Sequence, residues 1–416
     1  VAAFLVLAAL ASGVLVHDHE TQVSVTGLAA QATATGAVAT MSQSAVVPGR
    51  IERQGPQLEV DGKPFTFVGV NAYELGTWSG VDNGCGADFS QEGLNAFFST
   101  LPAESVVRTW AWQGEVGTAP ISHQRTWVAL DRLVSTAGNF HVRLILSLGP
   151  QDGTCDSGHW DDVSWYSGGY RQRFNDNGDS NDSTSYLTWV EQVVSRYREN
   201  PTIAMWEPIN EPEAAACLPG YLGNACYDGA TCPNEHSAAV ALRSFFDAVG
   251  GEIHRLDPGS LVESGEIGSG QCGTAGSDAA YVESSPGIDV TSVHDYGADT
   301  TALPGDSYNG EKVRLAQTEA VGKPIIVGEM GIDSGGVGCV DGTRRLAEFQ
   351  HKIGAALFAG FSGALVWDWV PSPQPGCSPD VGPSDPFMVW LRAVGPEGLG
   401  RSQPRSARVG SPGGTS

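Results

Sequence analysis

Eight short apolar runs, at residues 67–71, 105–109, 142–148, 202–209, 261–265, 290–294, 324–328 and 363–367, recur along the chain with helix-length stretches between them. Strand-length runs that alternate with helical ones require crossover connections, and crossovers produce a parallel sheet. Residues 183–200 place Leu187, Val190, Val193, Val194 and Tyr197 on one helical face, with Ser183 or Thr184 available as the cap. Residues 123–138, 235–256 and 343–361 have the same character, and Asp257-Pro258-Gly259 stops the middle one. Eight strand-helix pairs in one unit predict an α/β chain, a (β/α)8 TIM barrel with long βα loops.

The two ends fall outside that pattern. Residues 1–16 (VAAFLVLAALASGVLV) read as the core of a signal peptide or signal-anchor, and are shorter than the about 20 residues that span a bilayer. Residues 17–50 read as a low-complexity linker and 395–416 as a disordered tail, since Gly, Pro, Ser and Arg bury too little apolar surface to offset ordering entropy. The folded catalytic unit is expected over 51–394. Export follows, as a secreted monomer without stable membrane insertion once the signal is cleaved. Eight cysteines without paired CxxC units suit disulfides in an oxidising compartment better than zinc. With 23 Lys+Arg against 47 Asp+Glu, the net charge of -24 repels phosphate backbones, so the expected partner is uncharged and not a nucleic acid.

In such a barrel the chemistry sits at the carboxyl ends of the strands. Arg108 closes run two, Asn210 and Glu211 follow run four, His294 and Tyr296 follow run six, Glu329 ends run seven and Trp367 ends run eight. A lone glutamate after a strand is ordinarily a solvated loop charge. Seven such residues in one register are better explained by a site. Glycoside hydrolysis needs one carboxylic acid to protonate the leaving oxygen and one carboxylate to attack or to activate water. Arg108 and Tyr296 are expected to favour an ionised Glu329 as nucleophile, and Glu211, beside apolar and aromatic neighbours, to be the proton donor. Asn210 is placed to bind a sugar hydroxyl, Trp367 to stack on a pyranose ring, and His294 to bind a hydroxyl or orient the acids. Glu207 is read as a structural ion pair. Trp110, Trp112, Trp160, Trp165 and Tyr166 are candidates for sugar subsites or for loop packing.

These residues resemble the signatures of glycoside hydrolase family 5: Asn210-Glu211-Pro212, Gly328-Glu329, Val107-Arg108-Thr109-Trp110, His294-Asp295-Tyr296 and Trp367, with residues 58–73 (LEVDGKPFTFVGVNAY) similar to the family's first strand. The resemblance spans about residues 55–370. It implies a metal-independent retaining β-glycanase without cofactor, acting on polysaccharide. Arg108-Thr109-Trp110 leans toward β-1,4-mannan, with a β-1,4-glucanase, a transglycosylase or a non-catalytic glycan-binding barrel as alternatives. The chain departs from the family pattern at Pro208 in run four, at Ser147-Leu148-Gly149, which lacks a histidine, and at Met330 after the nucleophile position.

All eight cysteines fall in segments after the carboxyl ends of the strands. Cys339 is therefore expected to pair with Cys377, and Cys217, Cys226 and Cys232 to supply a short-range bridge, while residues 149–182 and 213–234 wall a groove. Two decoys are set aside. Residues 268–273 match GxGxxG but open no helix, and the acidic run 176–182 has its glycine misplaced for an EF-hand.

Overall fold

The computed structural model describes residues 49–76, 89–113, 126–153, 160–172, 184–217, 230–232, 234–297, 303, 305–373 and 375–401. The apolar N-terminal segment, the linker up to residue 48, the tail beyond 401, the acidic run 176–182 and Cys85, Cys155 and Cys226 lie outside them.

The chain opens with a small antiparallel sheet, β1 (Ile51–Gln54), β2 (Gln57–Val60) and β3 (Lys63–Phe65). The barrel begins with β4 (Phe67–Asn71), β5 (Val106–Trp110), β6 (Arg143–Ser147) and β7 (Ile203–Glu207). A two-residue antiparallel pair, β8 (Ala216–Cys217) and β9 (Ala230–Thr231), decorates the loop after β7. The barrel resumes with β10 (Leu261–Val262), β11 (Thr291–Asp295), β12 (Ile325–Met330) and β13 (Gly363–Val366). Its strands run in the order β10-β7-β6-β5-β4-β13-β12-β11, and a parallel bridge between Glu263 and Val290 joins the two edges into a closed ring. Every strand of the ring starts within one residue of an expected run. Proline at 208 does no harm, because β7 ends at Glu207 and no ladder donor is needed beyond it.

Around the ring lie α1 (Gln91–Phe98), α2 (Val128–Asn139), α3 (Val163–Tyr166), α4 (Tyr186–Tyr197), α5 (Glu235–Leu256), α6 (Asp278–Glu283), α7 (Glu311–Val321), α8 (Gly342–Ala359) and α9 (Pro386–Arg401). α9 runs to Arg401 across a break at Gly395, whose φ is 64°. α4 starts later than expected, since the Ser185 side chain accepts from Thr188 N and takes the capping role assigned to Ser183 or Thr184. Its buried stripe of Tyr186, Trp189, Val190, Val193, Val194 and Tyr197 packs against the outside of the ring. Inside the ring, Phe67, Val106, Ile145, Met205, Leu261, Val290, Ile326 and Leu365 form a separate core, with Ile51 and Leu58 of the small sheet packed into it. That sheet therefore stoppers the amino end of the barrel. Arg50, just before β1, is tied to Asp257 at 2.9 Å. No helix among the described residues is long and apolar enough to cross a membrane.

Candidate active site

Strand register brings the polar residues together before any side chain is considered. Asn71 on β4 pairs with Arg108 on β5. A register shift between Val293 and His294 sets His294 on β11 opposite Glu329 on β12; such bulges re-aim side chains beside functional sites. Glu211 leaves β7 through a left-handed turn, with φ 57°. Its N–H donates to the Gly265 carbonyl at 2.9 Å, and Asn210 N donates to the Gly149 carbonyl at 2.7 Å. Gly265 must be glycine here: its φ is 67°, and a Cβ would lie 2.0 Å from the Ile209 oxygen.

Arg108 is the hub. Its Nε and Nη2 grip Glu207 at 2.5 and 2.7 Å, Nη1 reaches Glu329 Oε1 at 2.7 Å and Asn71 Oδ1 at 3.0 Å, and Nη2 also reaches Asn210 Oδ1 at 2.5 Å. Tyr296 donates its hydroxyl to Glu329 Oε2 at 2.6 Å, and His294 Nδ1 lies 2.7 Å from Glu211 Oε1 and 3.5 Å from Glu329 Oε2. Glu329 is buried, whereas the Glu211 side chain is 33% exposed. Glu211 and Glu329 thus occupy one place with unlike surroundings. The Arg108 and Tyr296 contacts expected of Glu329 are present. Burial outweighs them together with His294, however, so the Glu329 pKa is raised from the ordinary carboxylate value and not lowered. Glu211 has the polar His294 against it rather than only apolar neighbours. Burial opposes a charge on His294, but Glu329 and then Glu211 overcome it and raise its pKa. Tyr296 as a residue is about half exposed, yet its hydroxyl donates to Glu329; burial and then Glu329 raise its pKa.

A cleft of about 460 Å³ holds Asn210, Glu211, Tyr296, Glu329 and Trp367. Trp110, Trp112 and Trp160 also line it, and Trp110 stacks on Trp112 with ring centres 3.7 Å apart. Trp367 stacks on Tyr73 at 5.8 Å. Trp165 and Tyr166 instead pack on Phe245 in the core. Met330 is likewise buried in the core and does not line the cleft. Asn71 lies within the first-strand motif without a mark of its own in the sequence; it takes a hydrogen bond from Arg108 and donates to the Gly328 carbonyl at 2.9 Å. Gln151, Glu213 and Gln271, which also border the cleft, were missed because they sit in loops without periodicity.

Glu211, His294 and Glu329 offer ligand atoms within 4.8 Å of one another, and holding a cation would exchange the hydrogen bonds just described. Beside Glu235, Cys232 and Cys272 are joined to each other, so they are not thiolate ligands. The expected Cys339–Cys377 bridge is present. Cys232 pairs with Cys272 rather than within its own trio, because the loop after β10 folds against the loop after β7. Cys217 is disulfide-bonded as well. Both bridges with described partners brace the face that carries the cleft.

Three further carboxyls contribute to the pH response of the fold. Burial first, then neighbouring acids, pushes Asp368 up to about 7 and Glu311 up to about 9, and burial pushes Glu283 up to about 7. Each holds a proton in the folded state over a range where an unfolded carboxyl, with a pKa of about 4, has released it, so their contribution to stability is lost as pH rises through that range. The calorimetric Tm is expected to be higher near pH 5 than near pH 8, with Asp368→Asn narrowing the gap. A Tm that climbs over that interval would contradict these assignments.

No family profile matches the chain. It is 27% identical over 335 residues to mannan endo-1,4-beta-mannosidase 8 of Oryza sativa subsp. japonica, covering 68% of this chain and 79% of that protein. It is 26% identical over 355 residues to the probable mannan endo-1,4-beta-mannosidase F of Aspergillus oryzae, covering 78% and 68%. Among solved structures, the endo-1,4-beta-mannanase from Rhizomucor miehei superposes with a TM-score of 0.58 at 19% identity, over 85% of this chain and 99% of that one. A glycoside hydrolase family 5 mannosidase from the same organism gives 0.55 at 15% identity, over 84% and 98%. The barrel and these relatives make the chain an O-glycosyl hydrolase. Its resemblance to glycoside hydrolase family 5, carried above by the strand-end motifs, is thereby borne out.

Proposed function

We propose that the protein is an exported endo-β-1,4-mannanase that works by double displacement, with Glu329 as nucleophile and Glu211 as acid/base. One observation carries the reading: an oxygen of each acid lies within 4.8 Å of the other, inside one cleft. Retaining enzymes hold their carboxyl groups about 5–5.5 Å apart, and inverting ones about 6.5–9.5 Å. The mannanase names of the relatives supply the substrate class.

In the first step a Glu329 oxygen bonds to the anomeric carbon as the glycosidic bond breaks and the Glu211 proton passes to the leaving oxygen. In the second, water attacks that carbon, gives a proton to Glu211 and releases Glu329. Arg108 and Tyr296 hold both oxygens of Glu329, so it meets the sugar in one orientation. Asn210 has its carbonyl oxygen committed to Arg108, which turns its amide N–H groups toward a sugar hydroxyl. His294 orients Glu211 through Nδ1.

Assay of a polysaccharide panel with product sizing tests the proposal. Release of mid-sized oligosaccharides from β-mannan with retained anomeric configuration is expected. Preference for β-glucan would select the glucanase reading, and binding without turnover a glycan-binding barrel. Because burial raises the Glu329 pKa, the acidic limb of kcat/KM is expected above the ordinary glutamate value of about 4.3. A limb at or below it would remove Glu329 as the titrating nucleophile.

A further inference from the structure

Tyr296 reaches Glu329 from the turn that follows β11, and three neighbours hold that turn by its backbone. Asp295 Oδ1 accepts from Gly297 N at 3.0 Å, closing the turn over Tyr296. The Asp295 carbonyl accepts from Gly331 N at 3.0 Å, and the Tyr296 ring lies so close to Gly331 that a Cβ there would come within 2.4 Å of it. The third neighbour is Lys352 of α8, which is 1% exposed. An ammonium has three protons to donate. Those of Lys352 meet Asp295 Oδ1 at 2.8 Å, the Gly297 carbonyl at 2.7 Å and the Asp295 carbonyl at 3.4 Å. All three acceptors belong to the residues that flank Tyr296.

Neither Lys352 nor Asp295 lines the cleft that holds the acids. Stability alone does not call for the charge, since a buried ammonium is costly to desolvate and an apolar side chain of similar length would fill the same space. What the ammonium adds is direction: it ties the backbone on either side of Tyr296 to a helix. Glu311 of α7 completes the support. Burial and then Asp295 raise its pKa to about 9, so it keeps a proton and with it a hydrogen bond to Asp295. Asp295 is thus held from α7 and α8 at once.

We propose that Lys352 is a positioning residue for the nucleophile and acts through Tyr296: by fixing the turn at residues 295–297 it sets the Tyr296 hydroxyl on Glu329 Oε2. This rests on the role proposed for Glu329 and adds a determinant that lies outside the cleft. Lys352 touches neither the sugar nor the reacting acids. Without it the turn relaxes, Tyr296 drifts from Glu329, and Arg108 is left to orient the carboxylate by itself.

Lys352→Met is expected to lower kcat on β-mannan about tenfold with KM changed by less than about twofold, because the loss lies in how Glu329 meets the sugar. The acidic limb of kcat/KM should move to higher pH: the Tyr296 hydrogen bond favours ionised Glu329, while Arg108, His294 and Glu211 stay in place around it. In a Tyr296→Phe background the same substitution should cost less than about twofold in kcat, since the route to Glu329 is already cut. Asp295→Asn keeps an acceptor for Gly297 N and leaves Lys352 on its two carbonyls, as Lys323 rests on those of Glu283 and Ser285. It should cost about threefold in kcat, again only with Tyr296 present, and serves as the test if Lys352→Met does not fold. Losses that multiply in the double variants, or an unshifted acidic limb, overturn the positioning role and leave the nucleophile standing. Tyr296→Phe with full kcat overturns the route through Tyr296. Wild-type protein inactive on β-mannan overturns the mannanase reading, and this inference with it.

Discussion

Glu329→Gln is expected to abolish turnover, lowering kcat on β-mannan by on the order of 10⁴-fold or more, because the amide cannot form the glycosyl ester. Its neighbours predict that the fold survives. Arg108 retains Glu207, Asn71 and Asn210, and the glutamine oxygen can still accept from Arg108 or Tyr296. Glu211→Gln should behave differently, losing about 10²–10⁴-fold on mannan, the range for a general acid. On an activated aryl glycoside, whose phenolate leaves without help, the first step should persist and the second become limiting. Added azide, which needs no general base, should then restore turnover and yield a β-glycosyl azide. Rescue of the Glu329 variant to the same β product would exchange the two assignments.

Arg108→Met is expected to be the most destabilising single change in the site, costing on the order of 3–5 kcal/mol, since it leaves carboxylates buried without their partner. The bidentate grip on Glu207 is the main reason: Glu207 is fully buried, and Arg108 more than offsets the effect of that burial and lowers the carboxyl's pKa. Glu263 lies against Glu207, and burial and then that neighbour raise its pKa, so it is the protonated member of the pair. Removing Arg108 forces a proton onto Glu207 or Glu329. Denaturant unfolding at pH 7 should show the loss, and it should shrink at pH 5, where protonating the orphaned acid is easier. Combining Arg108→Met with Glu207→Met should recover part of the stability, because an apolar pair of similar volume avoids the desolvation of both charges. A loss below about 1 kcal/mol for the single variant would mean that water reaches the pair.

The barrel was legible because its signal is repetitive. Each strand contributes a short apolar run, and α5 ends at the Asp257-Pro258-Gly259 stop just as its punctuation requires. Residues at strand ends were legible for the same reason: once β5, β7, β11, β12 and β13 are counted, Arg108, Glu211, His294, Glu329 and Trp367 must share one rim. Three-dimensional balances were not legible. Arg108 and Tyr296 could be named as partners of Glu329, but the depth of burial that reverses their effect on its pKa appears only once the ring closes. The run at 261–265 extends past β10, which ends at Val262, and Gly265 with its positive φ lies beyond the strand. Loop residues such as Gln271 carry no periodic mark, and the partner of Cys232 depended on which loops fold together.

Ile51 and Leu58 plug the ring of strands from the side away from Glu211 and Glu329. Among the described residues, the buried charges around Arg108 therefore face bulk water through the cleft, and in the proposed reaction a sugar chain lying there blocks that passage. In the proposed mechanism, filling the cleft and drying out its ionised groups become a single event, so the attraction between Arg108 and its carboxylates is strongest at the moment chemistry begins.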